Sequence, residues 1–262
     1  MDGERIKVID LFCGAGGFSQ GFKEAGYEII LGVDNDPDAI ATYHRNIGTC
    51  LLKDVREFEF NGWGKPDVVI GSPPCQSFSQ ANRKTRNCDL TLIDRFFDLV
   101  KRLEPRVWIM EEVEGVLFSL RRRGNLGFHV YQVDAADYGV PSHRRRFFAS
   151  NVAPILPFQT QEPTPASSVI EDGESLRMYN WDWNRRLAPT DAPAPTLTSK
   201  NFRVVNGDTQ RVGTVLENAG LMTFPGDYQW PEVKTLALKQ IGNAVPPLLA
   251  RQIAETVKIH LV

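Results

Sequence analysis

Along the first 150 positions, short runs of β-branched and aliphatic residues alternate with stretches whose apolar residues recur every three or four. This is the pattern of strands and helices wound around a parallel sheet. It predicts strands at Lys7–Leu11, Glu28–Val33, Val68–Gly71, Val107–Met110, His129–Asp134 and Arg146–Ser150, and helices at Ser19–Ala25, Pro37–Arg45 and Leu92–Leu103. In the last helix, Leu92, Phe96, Leu99, Val100 and Leu103 share one face. The pattern then breaks. Residues 151–196 hold seven of the 17 prolines, which no long helix can cross. Helical periodicity resumes at Val215–Met222, and an apolar helix runs from about Pro247 to Ile259. The expected fold class is α/β, a doubly wound mixed sheet of Rossmann-like type over residues 1–150. A small irregular lobe over 151–231 and a segment 232–262 returning to the first domain complete the expected organisation.

Composition narrows the class. A chain of 262 residues with 42% hydrophobic and 24% charged positions can bury one large core and a smaller lobe. No apolar run approaches the length of a membrane span, and no signal-like segment follows the charged start, so a soluble cytoplasmic protein is expected, nucleoid-associated if prokaryotic. Cys13, Cys50, Cys75 and Cys88 form neither a disulfide framework nor a zinc-type spacing and are read as reduced thiols, with no metal expected. Net charge is only −2, but residues 1–70 carry 7 Lys and Arg against 12 Asp and Glu, whereas residues 71–262 carry 23 against 20. A polyanion would meet the later part more readily.

Two segments carry candidate chemistry. Asp10-Leu11-Phe12-Cys13-Gly14-Ala15-Gly16-Gly17-Phe18 lies between a predicted strand and a predicted helix, where glycines let a ligand approach the backbone and a helix N-terminus offers free N–H groups. Asp34 closes the second strand about 20 residues on, where a carboxylate can accept from both ribose hydroxyls of a nucleoside cofactor. Asp54, after Leu51-Leu52, is placed to meet an adenine amino group. Either aspartate is equally readable as a helix cap or turn residue. The second segment is Gly71-Ser72-Pro73-Pro74-Cys75-Gln76-Ser77-Phe78-Ser79. A free cysteine is most often a buried core residue. A core position needs neither the two prolines before Cys75 nor the polar stretch after it, so Cys75 is read as a nucleophile at the carboxyl edge of the sheet.

With these segments the sequence resembles the DNA (cytosine-5) methyltransferase family, whose glycine-rich turn and Pro-Cys-Gln segment occur in this order. Further signatures follow in sequence. Glu111-Glu112-Val113 is similar to the family's Glu-Asn-Val, and Arg144 and Arg146 fall on its Gln-x-Arg-x-Arg segment. Glu217 with Phe224-Pro225 matches the segment after the variable region, and Gln240-Ile241-Gly242-Asn243-Ala244-Val245-Pro246-Pro247 the closing signature. The resemblance covers roughly residues 6–150 and 211–256, and Thr196-Leu197 resembles a dipeptide of the recognition region. It implies S-adenosylmethionine as cofactor, bounded by Phe12, Gly14, Ala15, Gly17, Asp34, Asn35, Asp54, Val55, Pro73, Leu92, Asn243 and Val245, and duplex DNA as partner. It also implies Cys75, Glu111, Arg144 and Arg146 as catalytic residues, a monomer, and a restriction endonuclease as a functional partner.

The implied chemistry is consistent. Cytosine C5 is too weak a nucleophile to take a methyl group unaided, so the Cys75 thiolate adds to C6 while a protonated Glu111 serves N3, with Arg144 a candidate to favour the thiolate. The target base must swing out of the duplex. Residues 76 to about 90 read as a loop closing on DNA or as an ordinary surface loop. Tyr179, Trp181, Trp183, Arg185, Arg186, Lys200 and Arg203 are candidate contacts for a recognition site on the order of four base pairs. Arg121-Arg122-Arg123 reads as a solvated loop. Three departures from the family stand out: Glu112 in place of Asn, Ser142 in place of Gln, and a presumed closing loop without glycines. The Ser142 change removes an amide expected to anchor the Arg144 segment. The alternatives weighed are a transfer-RNA cytosine-5 methyltransferase, which the closing signature disfavours, and a non-catalytic DNA-binding regulator.

Overall fold

The computed structural model describes residues 5–74, 90–122, 124, 127–158, 162–178 and 187–261. Seven strands form one sheet: β1 (Lys7–Leu11), β2 (Glu28–Asp34), β3 (Cys50–Leu52), β4 (Val68–Gly71), β5 (Val107–Glu112), β6 (His129–Asp134) and β7 (Arg145–Ser150). Their order is β3-β2-β1-β4-β5-β7-β6, parallel except for β7, which runs antiparallel to both neighbours. The apolar runs explain this placement. Val8, Val68, Ile70, Val107 and Ile109 face one core, while Ile9, Leu11, Val69, Trp108 and Met110 face the other. Strands with a period of two and no polar face must be covered on both sides.

One face is covered by α1 (Gly17–Glu24) and α7 (Pro247–Val257), with Phe18, Phe22, Ala250, Ile253 and Ala254 in its core. The other is covered by α3 (Thr91–Leu103), through Ile93, Phe96, Leu99 and Leu103, and by α4 (Glu114–Arg121). The helix α2 (Pro37–Asn46) links β2 to β3, capped by the Asp36 carboxylate on the N–H groups of Asp38 and Ala39.

Two differences from the sequence reading matter for the site. The strand β5 continues through Glu111 and Glu112, because Glu111 and Glu112 pair in register with Phe148 and Phe147 of β7. Helix α1 begins at Gly17 rather than Ser19 because Gly16 (φ 95°) reverses the chain immediately before it. A Cβ on Gly17 would stand 2.3 Å from the Val245 carbonyl oxygen, so the close return of the C-terminal segment requires this glycine. Gly17→Ala is therefore expected to cost about 2 kcal/mol in a urea titration by overpacking against backbone. Gly14→Ala, with open space around its Cβ but φ +53°, should cost about 1 kcal/mol through left-handed strain alone.

The proline-rich part carries no α-helix among the described residues of 151–196, only a 3-10 turn at Ala166–Ser168. It nevertheless contributes to a second sheet that the sequence reading did not anticipate: β8 (Ser175–Met178), β9 (Ala188–Pro189), β10 (Phe202–Asn206) and β11 (Thr209–Val212), antiparallel in the order β11-β10-β8-β9. Its core joins Leu176, Phe202 and Val204 to Leu221 and Met222 at the end of α5 (Val215–Leu221) and to Ile241 of α6 (Lys234–Asn243). Helix α5 starts with a capping box between Thr214 and Glu217, and Glu217 also pairs with Arg211 of β11.

Candidate active site

The strand order reverses between β1 and β4, and at their carboxyl ends lies the crevice where open α/β sheets take ligands. The turn after β1 occupies one side of it. Phe12 and Gly14 both have positive φ, and the Gly14 N–H donates to Asp34 Oδ2 at 2.9 Å. Asp34, at the end of β2, also accepts from the Asp36 N–H at 2.9 Å through Oδ1. Burial pushes its carboxyl up, against these backbone hydrogen bonds. Asn35 beside it is exposed.

A segment that sequence reasoning missed holds the turn from behind. The Tyr228 hydroxyl donates to the Ala15 carbonyl at 2.5 Å, and the Asn46 side chain brackets the Gln229 backbone, accepting from its N–H and donating to its carbonyl. Beneath the turn lies a buried group that was also missed. Ser19 Oγ donates to Asp10 Oδ2 at 2.6 Å and lies 2.7 Å from the Tyr43 hydroxyl. Burial without a cation raises the Asp10 carboxyl to about 7, Ser19 opposing and Asp34 adding to the effect. The aspartate one residue before the Leu11-Phe12 turn was the available signal.

The remaining cofactor candidates lie in three places. Val55 is buried in a 3-10 turn whose carbonyl accepts from Arg95 Nε, and Leu92 is half-buried at the start of α3. Asp54 caps that turn, and its carboxylate is clasped by Arg56, which holds it below the usual carboxylate range. Pro73 is buried just beyond β4. Val245 is buried and its carbonyl lies against Gly17, while Asn243 is exposed with its carbonyl accepting from Arg144.

On the other side of the crevice, β4 and β5 pair with Gly71 opposite Met110, so Glu111 follows directly beside the strand end that leads into Pro73-Pro74. Cys75 and the presumed closing loop lie outside the described residues, as do Arg123, Tyr179, Trp181, Trp183, Arg185 and Arg186. Glu111 is 6% exposed, and its Oε1 lies 3.0 Å from Arg146 Nε. The contact is a charge pair rather than an aimed hydrogen bond, and Oε1 has no hydrogen-bond partner among the described residues. Glu112 is equally buried and accepts the Val113 N–H at 2.7 Å.

Arg144 is 3% exposed, and its Nη1 and Nη2 donate to the carbonyls of Gly242 and Asn243 at the end of α6. Burial, reinforced by Arg146 and opposed by Glu111, pushes its guanidinium down to about 9, which leaves it cationic at neutral pH. Ser142, expected to weaken the anchoring of this segment, instead ties it down: its Oγ donates to the Leu221 carbonyl at 2.8 Å, and the flanking residues exchange backbone hydrogen bonds with Ala194. Lys200 is exposed, Arg203 is half-buried on β10, and Thr196 is exposed beside the buried Leu197. Arg121 and Arg122 are exposed, with Arg122 over the Phe118 ring. Among the described residues no helix is long and apolar enough to cross a membrane, and no cluster of metal-ligating side chains occurs.

A seven-stranded sheet with one antiparallel strand, a glycine-rich turn at its switch point and an acidic strand end define the fold class of the methyltransferases. The fold is similar to that of a prophage-encoded protein of E. coli assigned as a DNA modification methyltransferase (TM-score 0.77, 22% identity, 98% of this chain and 99% of that one). It is also similar to that of Dnmt2 from S. pombe (TM-score 0.68, 15% identity, 98% of each chain). The C-5 cytosine-specific DNA methylase family matches residues 6–172 and 157–259, and the chain belongs to that family. Relatives include the type II methyltransferase M.AplI of Arthrospira platensis (31% identity, 98% of this chain, 87% of that protein) and M.HgiDI of Herpetosiphon aurantiacus (31%, 98% and 95%).

Proposed function

We propose that this protein transfers a methyl group from S-adenosylmethionine to C5 of a flipped-out cytosine in a short duplex DNA sequence, through a covalent bond between Cys75 and C6. The observation that carries the reading is the buried Glu111–Arg146 pair placed in register beside the strand end that leads to Cys75. A buried carboxylate oxygen with a cation at 3.0 Å but no aimed donor fits a substrate hydrogen bond. In this reading the Cys75 thiolate adds to C6, turning the C5=C6 double bond into an enamine whose C5 takes the methyl group, while Glu111 serves N3 and Arg146 holds Glu111. Loss of the C5 proton to water and departure of the thiolate from C6 then re-form the C5=C6 double bond.

The residues around the turn fit the cofactor. Among the described residues, and its own chain neighbours apart, no atom lies within 4 Å of where a Gly14 Cβ would stand, leaving room beside the turn, and the Asp34 carboxyl, its pKa raised by burial, gains from hydroxyl donors. S-adenosylmethionine supplies the methyl group when bound. The catalytic domain would span residues 1–150 with 232–262, and residues 151–231 would read the sequence. The naming of relatives as type II methyltransferases supports a cognate restriction endonuclease as functional partner.

The deciding assay measures transfer of labelled methyl groups to duplex genomic DNA and to bulk transfer RNA in parallel. Label recovered as 5-methylcytosine in DNA is the expected result. Label only in RNA would move the protein to an RNA substrate, and label in neither, with cofactor bound, would favour a regulator that has lost catalysis.

A further inference from the structure

Asp134 ends β6 directly opposite Arg145 of β7. Its Oδ1 accepts the Arg144 N–H at 2.9 Å and the Ala136 N–H at 3.3 Å. Its Oδ2 lies 3.0 Å from His143 Nδ1 and accepts from Arg145 Nε at 3.2 Å. One carboxylate therefore engages three consecutive residues, 143 to 145, while the Arg144 carbonyl accepts from the Ala135 N–H at 3.0 Å. These contacts hold the carboxyl below its usual range even though burial works the other way. Residues 144 and 146 alternate with 145 along the chain, so fixing 145 toward Asp134 sends 144 and 146 to the opposite side. There Arg144 reaches the carbonyls of Gly242 and Asn243, and Arg146 reaches Glu111. A run of three arginines also repels itself, and a carboxylate on this turn offsets that repulsion.

We propose that Asp134 is a positioning residue for the reaction, fixing the turn from which Arg144 and Arg146 are presented to the α6 terminus and to Glu111. The proposal rests on the functional reading above for its catalytic consequence, and on geometry alone for its structural one. A shift of the order of 1 Å in a group aligned with the substrate costs about 100-fold in turnover.

The test compares Asp134→Ala and Asp134→Asn with the wild-type chain. For Asp134→Ala, kcat should fall about 30- to 100-fold while the Kd for S-adenosylmethionine, measured by calorimetry, stays within about 2-fold. Asp134→Asn retains one acceptor oxygen for the Arg144 N–H and should recover most of kcat. Independently of activity, hydrogen exchange at the Arg144 and Arg146 Nε–H groups, followed by NMR on 15N-arginine protein, should quicken about 10-fold in the alanine variant if the turn is released. Turnover and exchange at wild-type values in Asp134→Ala would overturn the proposal. So would a parallel loss of turnover and cofactor binding, because the effect would then be general. If the wild-type chain methylates neither nucleic acid, the functional reading falls, and the exchange measurement still decides whether Asp134 positions the arginines.

Discussion

Cys75→Ser is expected to abolish methyl transfer, by roughly 10,000-fold or more, the scale on which removal of an essential nucleophile acts. The reason is chemical. Cytosine C5 becomes a nucleophile only after a group adds to C6, and a serine hydroxyl is far less acidic and less nucleophilic than a thiol with a pKa of about 8.5. The turn, Asp34 and Val245 that are proposed to hold the cofactor belong to other parts of the chain, so cofactor affinity should be preserved. Labelled methyl transfer and calorimetric binding, run on the same preparation, separate the two. The wild-type chain should also form a denaturation-resistant adduct with DNA containing 5-fluorocytosine, and the variant none. Transfer by Cys75→Ser above about a tenth of the wild-type rate would show that another group attacks C6.

The second large effect is expected at Asp10, on stability rather than rate. Its folded-state carboxyl is raised to about 7 from an ordinary value of 3.8, so the folded chain holds a proton that the unfolded chain releases. The associated stabilisation is complete below the unfolded value and is lost as pH rises through the folded one. Over the whole window this amounts to on the order of 4 kcal/mol, of which about 2–3 kcal/mol falls between pH 5 and 8. Asp10→Asn keeps an oxygen to accept from Ser19 and removes the titration. Its stability relative to the wild-type chain should therefore rise by that amount between pH 5 and 8, read from urea midpoints at each pH. A relative stability that does not change with pH would place the titrating proton elsewhere.

The strands β1, β2, β4 and β6 and the helix α3 were legible within a residue or so, because their apolar residues carry the period of their own backbone. The glycine-rich turn, Asp34 and the Glu111-Glu112-Val113 and Arg144–Arg146 segments were legible for a different reason. Their match to the family depends on residue types at fixed short spacing, which a linear string preserves. The small sheet of the second lobe was not legible. The strands β8 to β11 are two to five residues long, and β8 and β9 pair with partners whose spacing along the chain no local pattern specifies.

Roles were less legible than positions. As a sequence, Arg144 reads as a charge available to a thiolate. Tertiary structure gives its guanidinium to carbonyls 98 and 99 residues away, because a buried helix end needs donors for its last carbonyls. Ser142 reads as the loss of an anchor, yet a hydroxyl reaches the Leu221 carbonyl because α5 ends against it. Tyr228 carries no motif at all and still holds the glycine-rich turn at Ala15. The sequence by itself determined the alternation of elements, the family and which residues are candidates for the chemistry, since these follow from local period and from residue types at short spacing. Only the tertiary structure decided which side chains hold those candidate groups in place, since such partnerships join residues the chain brings together through folding and through no pattern along its length.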